Sequence, residues 1–191
     1  AIASEMESIQ FVKSYAKNSA IGITAGSRGI RNIALILRTV ARYLKDKELI
    51  PMIIPAMGSH GGGYADGELQ VLESLGITEE SVGAQICKGH EAEYVGDNKN
   101  GNPVYVDANA LRCDGVLLVN RIKPHTKFTA PTESGLLKMA AIGLGKRQGC
   151  EQIHGQGLYP ELLDTASLVI EKLNIQAGLA IVESAYEETA I

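Results

Sequence analysis

Ile21-Gly22-Ile23-Thr24-Ala25-Gly26-Ser27-Arg28-Gly29-Ile30 is the run that decides the fold class. Its first half is short, apolar and β-branched, which reads as a strand, and the glycines at 26 and 29 mark a tight turn. Ile30, Ile33, Ala34, Leu37, Val40, Ala41 and Leu44 then recur at a 3.6-residue period, so the turn feeds an amphipathic helix. A second apolar run, Pro51 to Ala56, completes a βαβ unit, whose crossover is expected to be right-handed and whose strands parallel. The expected fold class is therefore α/β, a Rossmann-like, mostly parallel sheet flanked by helices. Ser27 is expected to cap the helix. With Arg28 beside it, the turn is a candidate site for a phosphate or carboxylate at a helix N-terminus.

Outward from this unit, Met6, Ile9, Val12 and Ala16 predict a helix over residues 5 to 17 with Ser4 as its cap. Downstream of the second strand comes Met57-Gly58-Ser59-His60-Gly61-Gly62-Gly63, where glycines leave a histidine with little steric cover. Asp66 to Leu75 reads as a helix capped by Asp66 and stopped by Gly76, and Thr78 starts a shorter one. Residues 83 to 87, 92 to 95 and 103 to 106 read as short strands, and Asp97 to Asn102 as a turn. They make a β-hairpin excursion around residues 83–106.

Gly115-Val116-Leu117-Leu118-Val119 lacks alternation and reads as a strand buried on both faces. Residues just past the carboxyl end of such a strand sit in the ligand crevice of an open α/β sheet, which singles out Asn120 to His125. A short helix over about Ser134 to Ile142 carries Lys138 among apolar neighbours, where partial burial would lower its pKa and make it a usable nucleophile. Gly143-Leu144-Gly145-Lys146 is not a phosphate-binding P-loop, because Ala140 and Arg147 stand where that motif needs a glycine and a hydroxyl. A helix opened by Pro160 and a strand over Ala177 to Val182 close the chain, which reads as one α/β domain over residues 1–191.

A net charge of -4 with no basic stripe argues against a nucleic-acid partner. Cys87, Cys113 and Cys150 are odd in number and widely spaced, so neither a disulfide framework nor a thiolate zinc site is expected. Without an apolar run long enough to span a bilayer or a secretory leader, the expected location is the cytoplasm. The first residue is not Met, and the end follows a strand without a closing element, so a longer polypeptide is expected. The oligomeric state is not legible.

Three of the four histidines, His60, His125 and His154, stand in Gly- or Pro-marked turns, whereas His90 lies in a polar stretch and reads as solvated. Imidazole serves both as a metal ligand and as an acid or base near neutral pH. One reading is a zinc hydrolase held by three histidines. The other is a metal or cofactor bound by one histidine, with the remaining two as an acid/base pair. Lys138 between them favours the second, and a catalytically silent binding domain is a third.

Taken in order, Arg28, Gly58-Ser59-His60, Pro124-His125, Ser134-Gly135-Leu136-Leu137-Lys138 and, sixteen residues on, His154 resemble the nickel-dependent lactate racemase family. The likeness runs over about residues 20 to 190, most of that family's N-terminal domain. It implies a nickel-pincer nucleotide joined to Lys138, with His154 as the protein's nickel ligand and His60 and His125 as two bases. It implies an α-hydroxy acid substrate, racemised or epimerised by proton removal coupled to hydride transfer to the cofactor. Arg28 and Ser27 would hold the substrate carboxylate or the nucleotide phosphate. The acidic residue that better-known members place three before the arginine is Ala25 here. The family's C-terminal domain, which closes over the cofactor, corresponds to nothing in this sequence.

Overall fold

The computed structural model describes residues 2–8, 11–123, 135–155, 158–183 and 189–190. In chain order its helices and strands are α1 (Ile2–Ser8), β1 (Ala20–Ala25), α2 (Ile33–Asp46), β2 (Ile50–Pro55), α3 (Ala65–Ser74) and α4 (Glu79–Val82). There follow β3 (Gln85–Ile86), β4 (Ala92–Asp97), β5 (Pro103–Asp107), α5 (Ala108–Leu111) and β6 (Gly115–Arg121). The chain continues through α6 (Leu136–Lys138), α7 (Lys146–Gly155), α8 (Leu158–Lys172), β7 (Ala177–Glu183) and β8 (Thr189–Ala190). The main sheet runs β3-β2-β1-β6-β7-β8, parallel except for β8, and β4 with β5 forms a separate antiparallel hairpin. The expected α/β class with its hairpin is the class observed.

Both faces of the sheet are covered, which is why its strands read as unbroken apolar runs. β6 sends Leu117 and Val119 to one core, shared with Ile21, Ile23, Ile53 and the α2 stripe of Ile33, Leu37, Val40 and Leu44. Val116 and Leu118 point to the other, with Ile54, Ala140, Ile153 and Leu162. Fully burying one such aliphatic side chain contributes about 1.5–3 kcal/mol. Leu37 and Leu44 on α2 have no exposed surface, and truncating either to Ala would cost about 2–5 kcal/mol. No helix among the described residues is long and apolar enough to cross a membrane.

The β1–β6 ladder ends early. Its register stops at Ile23 with Leu117, whereas β1 stays paired with β2 to Ala25 and β6 with β7 to Arg121. Buried Thr24 bridges the opening, its Oγ1 accepting a hydrogen bond from Val119 N at 2.8 Å. The sheet thus splits where its strand order reverses, and a crevice at the carboxyl ends of β1, β2 and β6 follows.

Several local expectations are corrected. The single helix over residues 5 to 17 is instead α1 and a separate 3-10 turn, Phe11–Ser14, with Ile9 outside the described residues. Ser8 and Ser14 each turn a hydroxyl back onto the carbonyl three residues earlier, the competition that weakens serine in helices. Ser4 lies within α1 and Ser27 is no cap: α2 begins at Ile33 behind Asn32, whose φ is 59°. Asp66 sits in the first turn of α3 behind Tyr64, whereas Thr78 does cap α4 through a reciprocal bond with Ser81. The segment at 83–87 yields β3, which joins the main sheet beside β2 rather than the hairpin.

Candidate active site

The crevice is a cleft of about 150 Å³ lined by Gly26, Ser27 and Arg28 after β1, by Ala56, Met57 and His60 after β2, and by Asn120, Arg121 and Lys123 from β6 onward. That volume matches a cavity able to hold a benzene ring. Lys138, Met139, Ile142 and Gly143 close its floor.

The floor is where the expected helix departs from α geometry. After α6 the chain widens into a π-helical turn, Met139–Gly143, in which Leu144 N donates to Met139 O at 2.9 Å. π turns are costly and cluster at functional sites. Here the neighbours hold it: a Cβ on Gly143 would lie 2.8 Å from Ala56 O, and Gly58 N donates to Gly143 O at 3.2 Å. The π turn therefore packs backbone to backbone against the loop that carries His60. That loop is equally tight, since Gly61 has φ 68° and a Cβ on it would stand 2.6 Å from the Gly67 carbonyl carbon.

Lys138 is partly buried at the end of α6, and no described residue gives its ammonium a hydrogen bond or salt bridge. Burial, then the charges of Arg28 and Lys123, hold its pKa below the ordinary lysine value, with Cys150 opposing. His60 donates or accepts through Nδ1 at 2.5 Å from Ser27 Oγ. Partial burial, then Arg28 and Lys138, lowers its pKa, which favours the neutral imidazole. The ring edge is nevertheless exposed at the cleft mouth, so these causes act on a group a ligand can reach.

Among the described residues no carboxylate lines the cleft. Arg121 is neutralised from behind by Glu183, whose Oε2 lies 2.6 Å from its guanidinium, and Glu183 Oε1 also accepts from Arg31 N. Arg28, Lys123 and Lys138 thus leave the cleft with surplus positive charge, suited to a small anion. Asn120 fixes the two walls together, donating from Nδ2 to Gly135 O at 2.9 Å and accepting from Arg121 N.

Of the residues singled out in the sequence, the structure brings together Ser27, Arg28, His60 and Lys138. His154 sits in the exposed last turn of α7 and is not among the cleft lining. His125, with Pro124 and Ser134, lies outside the described residues. Among the described residues no three His, Cys, Asp or Glu side chains group to hold a metal. His90 is exposed against the Tyr64 ring. Sequence reasoning missed Met139, Ile142 and Gly143 as floor residues, because nothing in Met-Ala-Ala-Ile-Gly distinguishes a π turn from an α-helix.

Lys146 is the second residue that only the structure explains. It is fully buried behind the cleft, with φ 54°, and its ammonium donates to Pro55 O at 2.7 Å and to Glu68 Oε2 at 2.8 Å. Asp107 Oδ2 pairs with it at 2.8 Å, and Asp107 Oδ1 caps α5. An ammonium so enclosed cannot bind phosphate, which agrees with the missing P-loop.

No curated protein matches the chain by sequence. Among solved structures it is similar to the lactate racemase apoprotein from Thermoanaerobacterium thermosaccharolyticum, with 15% sequence identity and a TM-score of 0.72. The match covers 95% of this chain and 46% of that one, so the chain spans about half the length of that relative, and the likeness is one of fold. The sequence pattern of the lactate racemase N-terminal domain matches residues 17–161. Covering most of the chain, that match makes the protein a member of the lactate racemase N-terminal domain family.

Proposed function

We propose that this chain is the cofactor-bearing domain of a two-domain racemase or epimerase acting on a small α-hydroxy acid. The observation that carries the reading is the convergence on one cationic cleft, at the sheet's switch point, of His60 and a pKa-lowered Lys138 that has no partner among the described residues. Lys138, Arg28 and Lys123 fit the tether and the anionic groups of a lysine-tethered nickel-pincer nucleotide, whereas His154 stands outside the cleft. An amine without a partner is the group an acyl or thioacyl linkage needs, and Arg28 with Lys123 suits a phosphate or carboxylate. When bound, that cofactor would supply a hydride acceptor.

The chain's own residues do the rest. Arg28 orients the acid by its carboxylate, and the cleft is small enough to confine it. His60, neutral by its surroundings, removes the hydroxyl proton. The resemblance gives His125 the matching role on the opposite face, as each enantiomer presents its hydroxyl to a different side. His154 is assigned to nickel, which requires the end of α7 to approach the cleft.

The test is intact-protein mass spectrometry of the chain purified from cells that make the cofactor. An adduct on the wild-type protein, absent from Lys138→Ala, is expected; an unmodified Lys138 overturns the cofactor assignment. His154→Ala should keep the adduct and lose nickel. Zinc retained by the unmodified wild type and lost on His154→Ala would favour a histidine-metal hydrolase instead.

A further inference from the structure

Ser27 has lost the helix-capping role that its position in the sequence suggests, and its hydroxyl meets a ring nitrogen instead. We propose that Ser27 is a positioning residue that fixes the tautomer of His60: its Oγ accepts a hydrogen bond from Nδ1–H, leaving Nε2 as the bare nitrogen that serves as base. The inference rests on the racemase reading for its catalytic meaning but not for its geometry.

Three observations converge on it. First, Nδ1 is engaged at 2.5 Å, so Nε2 is the nitrogen left for a ligand in the cleft that both residues line. Second, the charges acting on the ring are cationic, from Arg28 and Lys138. Cations beside the ring favour the neutral imidazole over the imidazolium, so the ring carries a single N–H, and Ser27 Oγ stands at Nδ1 to receive it. Third, the loop bearing His60 is clamped, with Gly61 against Gly67 and Gly58 N on Gly143 O, so the ring is presented by a fixed backbone. A hydrogen bond at the far nitrogen is then enough to select the face.

The proton count closes. The substrate hydroxyl proton moves to Nε2, whose lone pair forms the new N–H bond, and the electrons of the broken O–H bond stay on oxygen. The imidazolium keeps its proton on Nδ1, donated to Ser27 Oγ throughout; Nε2 returns the first proton to oxygen when the original enantiomer re-forms, and gives it to solvent when the mirror image forms and the opposite-face base protonates the oxygen. Ser27 neither gains nor loses a proton.

The test uses long-range proton–nitrogen NMR on this chain, with the His60 signals assigned by their loss in His60→Gln. Above the His60 pKa, wild type and Ser27→Thr should show protonated Nδ1 and bare Nε2, whereas Ser27→Ala should show the other tautomer or a mixture. Protonated Nε2 in the wild type, or no change in Ser27→Ala, overturns the assignment. In the two-domain, cofactor-loaded enzyme, Ser27→Ala should lower kcat about 10- to 100-fold with restoration by Ser27→Thr. Absent turnover in the wild type would sink the racemase reading and leave the NMR result standing.

Discussion

Lys138 and Lys146 flank the same π-helical turn, and their surroundings are opposite. Lys138 is partly buried, faces the cleft and has no partner among the described residues. Lys146 is fully buried and enclosed by Pro55 O, Glu68 and Asp107. The deeper lysine is the inert one. Two carboxylates and a carbonyl compensate the buried ammonium, so burial with partners builds structure. Burial without partners lowers a pKa and leaves a reactive amine. Because Lys146 anchors the end of β2, the buried cluster also holds the loop that presents His60.

The contrast can be broken most severely at Lys146. Lys146→Ala leaves two carboxylates uncompensated and should cost about 3–5 kcal/mol in urea unfolding. A loss below about 1 kcal/mol would mean the cluster is not the anchor described. Gly143→Ala, whose Cβ would stand 2.7 Å from Met139 Sδ and 2.8 Å from Ala56 O, should cost about 1–3 kcal/mol by overpacking. It should also shift the Lys138 resonances. If those resonances stay in place, the π turn does not set that side chain.

Glu68→Gln should change stability at neutral pH by about 1 kcal/mol or less, because Glu68 Oε1 has no hydrogen-bond partner among the described residues and the two carboxylates outnumber the single ammonium. Burial raises the Glu68 pKa against the opposing pull of Lys146. A raised carboxyl binds more protons folded than unfolded, so its contribution is present at acid pH and is lost as pH rises through the folded pKa. Unfolding curves of wild type and Glu68→Gln across that range should therefore differ in slope; parallel profiles would refute the shift.

The smallest stability effect is expected at Lys138 itself. Lys138→Ala should change unfolding by about 0.5 kcal/mol or less. Its signature is chemical: at mildly alkaline pH an amine-directed acylating reagent should label Lys138 ahead of exposed lysines, and peptide mapping reads the site. Since the pKa is lowered, the folded state binds fewer protons than the unfolded one between the folded value and about 10.4, and stability from this group rises with pH over that window. Arg28→Ala removes a positive neighbour and should raise the pKa of both Lys138 and His60; unmoved titrations would show that Arg28 does not face them.

What could be read in advance divides along the range of the forces involved. The β1-α2-β2 unit was legible because its signals are local: apolar period, glycine at the turn, length. Arg28, His60 and Lys138 were legible as reactive groups in unusual settings. The sheet that the two-residue β3 joins is not legible in sequence, because so short a strand takes its partner from tertiary packing alone. Ser27 reads as a helix cap in sequence but is none, because α2 starts later than its apolar stripe suggests.

By itself the sequence determined the α/β class, the family resemblance and which side chains have chemistry to offer, since each of these is carried by residue type and short-range period. Only the tertiary structure decided that β1 and β6 part beyond Ile23, that Lys138, just before a π turn, lines the opening, and that Lys146 is fully buried. It alone joined Ser27 to His60. The reason is physical: desolvation and charge pairing depend on neighbours far apart in the chain, and no local pattern records which of two lysines will find a partner.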